Sequence, residues 1–191
     1  MGRRTPLWAA AVAALLLGAT APQAGAAEAA GHGVAGDRVA DPAAANGWEP
    51  APAEPWELPA GERCDAPVSG VPVVDEVEQL VLDTHQDGTP AAVLYRGPLV
   101  VRVTNTATGA AHDADVSGTA LVRYRTDGSQ HWSVVGPVLV GVAENGGNLD
   151  RGLYVVDGVF TLEIAADGYR TVTQAAGGVD DLCARVEEPA A

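Results

Sequence analysis

Three short stretches of this sequence collect the side chains that hold metal ions or move protons. DTHQDG at 83–88 offers Asp83, His85 and Asp87, AHDADVSG at 111–118 offers His112, Asp113 and Asp115, and ENGGNLD at 144–150 is rich in side-chain oxygen and glycine. An imidazole beside carboxylates can ligate a divalent cation or shuttle a proton when the fold brings them together. Strand alternation decides which of them can meet. If both stretches are extended, Asp83, His85 and Asp87 share one face, whereas His112 points away from Asp113 and Asp115. Those two aspartates then lie about 7 Å apart along the strand, too far to share an ion without a third ligand. Asp87 begins an Asp-Gly turn, where an Asx side chain bonds its own backbone. ENGGNLD lacks the DxDxDG spacing and distal glutamate of a calcium loop. Asp83, His85, Asp87, Asp113 and Asp115 are therefore candidates for a metal set against a plainer reading as turn and hairpin-rim residues. The plainer reading is favoured, with no metal and no cofactor expected.

Other chemistries leave less trace. The chain has no GxSxG elbow, no HExxH and no phosphate loop ending in lysine, since it contains no lysine at all. A triad assembled from distant residues would have to use His85, His112 or His131. By alternation His131 points away from the core beside Trp132 and is read as solvated. Carbohydrate binding needs exposed aromatic rings, but Trp132 falls on an apolar face, and at least two of Tyr95, Tyr124, Tyr154 and Tyr169 also read as buried.

The ends of the chain set the compartment. Arg3 and Arg4, an apolar run from Trp8 to Ala21 and the triplet Ala24-Gly25-Ala26 follow the plan of a secretory signal peptide, with cleavage expected after Ala26. That run is shorter than the roughly 20 residues that span a bilayer, so no membrane span is expected. General secretion is preferred to the twin-arginine route. The first cysteine is Cys64, far from the apolar run, which argues against a lipid anchor. Residues 27–59 are rich in Ala, Gly and Pro without an apolar period and read as a disordered arm, although Trp56 could pack beside the first strand. The formal charge of −14 becomes −16 once Arg3 and Arg4 are removed, because no acidic residue precedes Glu28. Nucleic acid and anionic membrane surfaces are disfavoured as partners. Two cysteines, Cys64 and Cys183, bracket the folded segment, and in an exported chain they read as one disulfide.

Residues 60–188 read as a single all-β domain. Asp-Gly pairs at 87–88, 127–128 and 167–168 punctuate apolar, β-branched runs and signal hairpins whose two central residues both need positive φ. The pair at 157–158 interrupts a run and signals a bulge. The runs cover 71–84, 91–104, 111–126, 131–142, 153–164, 169–174 and 181–186, and the first is read as strand in preference to helix. Trp132, Val134, Val138, Val140 and Val142 form one apolar face, and Tyr154, Val156, Phe160, Leu162 and Ile164 form another. No internal repeat is evident beyond the punctuation. The fold expected is a single antiparallel meander of about seven or eight strands closing into a barrel or sandwich.

The stretches GPLVVRVTNTATG, VSGTALVRYRTDGSQHW and the Gly-Pro at 136–137 resemble a group of small actinobacterial exported proteins with successive VTN..TG, SG and DGS turns. The likeness covers residues 70–165. It implies a secreted β-domain and, as the group has no assigned activity, no catalytic residues. The functional expectation is an exported, non-enzymatic binding or interaction module at or outside the cell envelope, for a protein, an envelope component or a small ligand. The alternative is a secreted hydrolase or metal-dependent enzyme with a loop-borne site near His85, His112 and Glu144. A purely structural role is equally compatible with the composition.

Overall fold

The computed structural model describes residues 47–187. The expected signal peptide and residues 27–46 of the arm lie outside the described residues. Twelve strands and one short helix follow in order: β1 (Glu49–Pro50), β2 (Trp56–Leu58), β3 (Val68–Asp75), β4 (Glu78–Thr84), β5 (Pro90–Arg96), β6 (Leu99–Asn105), β7 (Ala111–Asp115), β8 (Thr119–Tyr124), β9 (Gln130–Val135), β10 (Val138–Val142), β11 (Gly152–Ile164), β12 (Arg170–Asp181) and α1 (Leu182–Glu187). The fold is all-β. One antiparallel sheet runs β1-β4-β5-β8-β9-β11-β10 with β12 also on β11, and a second runs β2-β3-β6-β7. Together they form a sandwich around one apolar core.

The expected runs are present but bent. The run at 71–84 is strand, as expected, and breaks at Glu76-Val77 into β3 and β4; the run at 91–104 breaks at Gly97-Pro98 into β5 and β6. The breaks at 116–118 and Gly136-Pro137 divide the next two runs in the same way. Proline removes a ladder donor, so each Gly-Pro interrupts the ladder; at Gly97-Pro98 the chain crosses to the other sheet, whereas across Gly136-Pro137 it stays on β11. Trp132, Val134, Val138, Val140 and Val142 are all buried, as are Val156, Phe160 and Leu162, while Tyr154 and Ile164 pack partly exposed against the core.

The three hairpin turns share one geometry. In each, the residue two before the aspartate donates its N–H to the carbonyl two residues beyond it: His85 to Thr89 at 2.8 Å, Arg125 to Ser129 at 2.9 Å and Ala165 to Tyr169 at 2.9 Å. Asp87, Asp127 and Asp167 each accept the N–H of Thr89, Ser129 and Tyr169 at 2.9, 2.9 and 3.0 Å. Only the glycines have positive φ, so these are three-residue loops with a glycine bulge and not the two-residue turn expected. The aspartates recur every 40 residues. The punctuation thus marks a repeated bent hairpin whose other side chains have little in common.

At the expected bulge, Gly158 and Gly177 face each other across β11 and β12, with φ of +110° and +123°, and the register shifts at Val159/Phe160. A Cβ on Gly158 would lie 2.0 Å from the Ala176 carbonyl oxygen, and one on Gly177 would lie 1.9 Å from that of Asp157.

Two boundaries differ from expectation. Ordered structure is already present at Gly47, inside the arm expected to run to residue 59. There β1 pairs with β4, β2 pairs with β3, and Ala51, Ala53 and Leu58 are buried. Ala51 donates to the Val77 carbonyl at 2.8 Å, Ala53 donates to Asp75 Oδ2 at 2.7 Å, and the Arg96 guanidinium stacks 3.7 Å from the Trp48 ring. Trp56 packs on Gly70, where a Cβ would lie 2.2 Å from the indole. Proline pre-sets extended backbone, so such a segment loses little entropy in lining a sheet edge and needs no apolar period of its own. The run at 181–186 is helix and not strand. Asp181 Oδ1 accepts the N–H groups of Cys183 and Ala184 at 2.9 and 3.3 Å, an N-cap, and Leu182, Cys183 and Val186 form the buried side. Cys64 and Cys183 are joined by the expected disulfide, with Cα atoms 5.3 Å apart.

Candidate functional site

The residues singled out in the sequence do not converge. Asp83 accepts the Thr84 N–H at 2.9 Å, His85 Nε2 donates to the Tyr124 carbonyl at 3.0 Å, and Asp87 is held in its turn by the N–H and hydroxyl of Thr89. Asp113 forms a two-pronged pair with Arg102, both contacts at 2.7 Å, and this holds its carboxyl below the usual range. Asp115 accepts the Ser117 N–H at 3.0 Å. Glu144 lies 3.4 Å from Arg151, which also pairs with Asp65. Among the described residues, no three His, Cys, Asp or Glu side chains are placed to hold a metal ion. Of Trp132 and the four tyrosines only Tyr169 is exposed, so they build no aromatic platform.

A histidine and a carboxylate do meet, on a sheet face and not among the loops. His131 on β9 stands opposite Glu163 on β11, and His131 Nδ1 lies 2.5 Å from Glu163 Oε1. On the other side of the ring, Nε2 is 3.3 Å from Ser133 Oγ. Arg125, which leads out of the Asp127 turn's first strand, places Nη1 3.3 Å from Glu163 Oε2. Each carboxylate oxygen thus has its own partner. The hydrogen bond from His131, supported by the Arg125 charge, holds the Glu163 carboxyl below its usual range. An ionised carboxylate accepts only, so Nδ1 carries a proton, and in the neutral ring Nε2 is then an acceptor facing the Ser133 hydroxyl.

The strands explain this convergence. Along β9 the buried Trp132 and Val134 alternate with His131, Ser133 and Val135 on the outer face; along β11 the buried Phe160 and Leu162 alternate with Val159, Thr161 and Glu163. Pairing sets Ser133 opposite Thr161, and Thr161 opposite Thr173 on β12, which makes a row of hydroxyls across three strands. Val135 and Val159 stand opposite each other beyond it, 62% and 48% exposed. Between these rows lies an open groove of about 360 Å³ bordered by Ser133, Val135, Val159, Thr161, Thr173 and Gln174.

His131, read from sequence as solvated, is therefore a bonded histidine with only about a quarter of its side chain exposed. Alternation places His131 and Ser133 on one face and Glu163 on an outer face. What it lacks is the register in which residues 130–142 and 152–164 pair as one long antiparallel hairpin. The same register holds on both sides of Gly136-Pro137, with Val138 opposite Val156 and Val135 opposite Val159, so His131 meets Glu163 at the far end of this hairpin. A carboxylate, an imidazole and a hydroxyl in this order can move a proton from the hydroxyl to Nε2. Compared with known protein families, curated proteins and solved structures, the chain matches none.

Proposed function

We propose that this protein is an exported β-domain that works as a binding module, holding a small, uncharged, partly apolar ligand on the outer face of β9, β11 and β12. The groove between the hydroxyl row and the Val135–Val159 pair carries the reading. Its volume falls at the low end of small-molecule sites, and its walls are almost wholly apolar, with the Ser133, Thr161 and Thr173 hydroxyls at its border. The chain's charge of −14 weighs against anionic ligands. Export is supported by the sequence at 1–26 and by the disulfide, which persists in oxidising compartments. Among the described residues no helix is long and apolar enough to cross a membrane.

The test uses N-methylisobutyramide as a neutral probe, titrated to millimolar concentration against protein with labelled valine methyls. Saturable shifts at Val135 and Val159, lost in Val135→Ser, are expected. Shifts confined to other valines, or none at all, would overturn the reading; so would a protein partner that still binds Val135→Ser unchanged.

A further inference from the structure

We propose that the ligand held in this groove is a neutral carboxylic ester and that Ser133 hydrolyses it. This inference rests on the binding reading, because it uses the same groove. Three observations carry it: the unbroken series Glu163–His131–Ser133, with contacts of 2.5 and 3.3 Å; the position of Ser133 on the groove wall; and the row of hydroxyls next to it. A serine hydroxyl is a weak nucleophile until a neighbouring base takes its proton, and that base must itself be oriented by a third group. Glu163 orients the ring through Nδ1, and Arg125 fixes Glu163 from its other oxygen. Arg125 and Glu163 are positioning residues here, while Ser133 and His131 touch the reacting atoms.

Ser133 Oγ attacks the ester carbonyl carbon as His131 Nε2 takes the hydroxyl proton, and the carbonyl electron pair moves onto oxygen. Thr161, directly opposite Ser133, supplies a hydroxyl donor for that oxyanion. Collapse of the intermediate breaks the bond to the alkoxy oxygen, which leaves as an alcohol with the proton from His131. Water then attacks the acyl-serine, gives its proton to His131, and the carboxylic acid departs as that proton returns to Ser133 Oγ. A single hydroxyl is a weaker oxyanion donor than paired backbone N–H groups, which points to esters and not to the less reactive amides. Val135 and Val159 offer apolar contact to a short acyl chain.

The experiment pairs p-nitrophenyl butyrate turnover with labelling by an ethoxy fluorophosphonate, both on the full chain. Saturable turnover and a single adduct on Ser133 are expected. Ser133→Ala should lose both, and His131→Gln should lower kcat roughly 100- to 10,000-fold. Glu163→Gln should lower kcat with KM unchanged, and Glu163→Asp should recover part of it. Amide binding with no Ser133 adduct would overturn this inference alone, and Ser133→Ala turning over like the wild type would do the same. Failure of the amide to bind would overturn both readings.

Discussion

Removing the Cys64–Cys183 bridge should cost most of this domain's stability, and the loop length sets how much. The linked residues are 119 apart in sequence. In the chain-entropy model, freeing a loop of that length returns about 5 kcal/mol of conformational entropy to the unfolded chain at 25 °C. Small domains are stable by about 5–15 kcal/mol, so the double variant Cys64→Ala/Cys183→Ala should sit near the margin of folding. For a domain of this size the midpoint of thermal unfolding should fall by roughly 15–20 °C. Both cysteines are buried, at 2% and 8% exposed, so replacement also empties some packed volume and adds to the loss. Urea unfolding is the assay. Because the unlinked chain expands further when unfolded, the m value should rise as the midpoint falls. A loss below about 1 kcal/mol with an unchanged m value would refute the reasoning, since it would mean that the unfolded chain already holds residues 64 and 183 together without the link.

Three further outcomes are expected. Gly177→Ala should destabilise the domain by at least about 1–3 kcal/mol, because its φ is +123° and the new Cβ meets the Asp157 carbonyl oxygen; a urea midpoint equal to that of the wild type would contradict this. Gly70→Ala should evict Trp56 and unpair β2, which limited trypsin digestion would reveal as new cleavage after the buried Arg63. The fall in stability with acid should be confined to low pH. Asp87, Asp113, Asp127 and Glu163 are held below the usual carboxylate range by hydrogen bonds from Thr89, Arg102, Ser129 and His131 respectively. Their contribution is complete above the unfolded value near pH 4 and is lost as pH falls through the lower folded values. Midpoints that rise between pH 5 and pH 3 would reverse that sign.

The features that sequence revealed are those set within a few neighbouring residues. Alternation around Trp132 and Phe160, the Asp-Gly turns and the bulge at Gly158 each depend on local backbone geometry. The disulfide followed from there being only two cysteines. The packing of residues 47–59 was hidden because an edge-lining segment is held by backbone hydrogen bonds and by small buried alanines such as Ala51 and Ala53, which leave no apolar period. The helix at Leu182–Glu187 was hidden because its length gives fewer than two turns of periodicity. His131 and Glu163 are 32 residues apart, and they meet only in the register of the long hairpin that joins residues 130–142 to 152–164. Alternation leaves that register open, so the candidate site was the least legible part of the chain.

The disulfide also determines how the molecule bears force. Tension applied between residues 47 and 187 would enter through β1 and β2, whose few backbone bonds would peel away first. At Cys64 the load would cross to Cys183 through a covalent bond and leave by α1. The strands between them, with the groove and the His131–Glu163 pair, lie outside that path. An anchored arm could therefore be stretched hard without pulling the site apart.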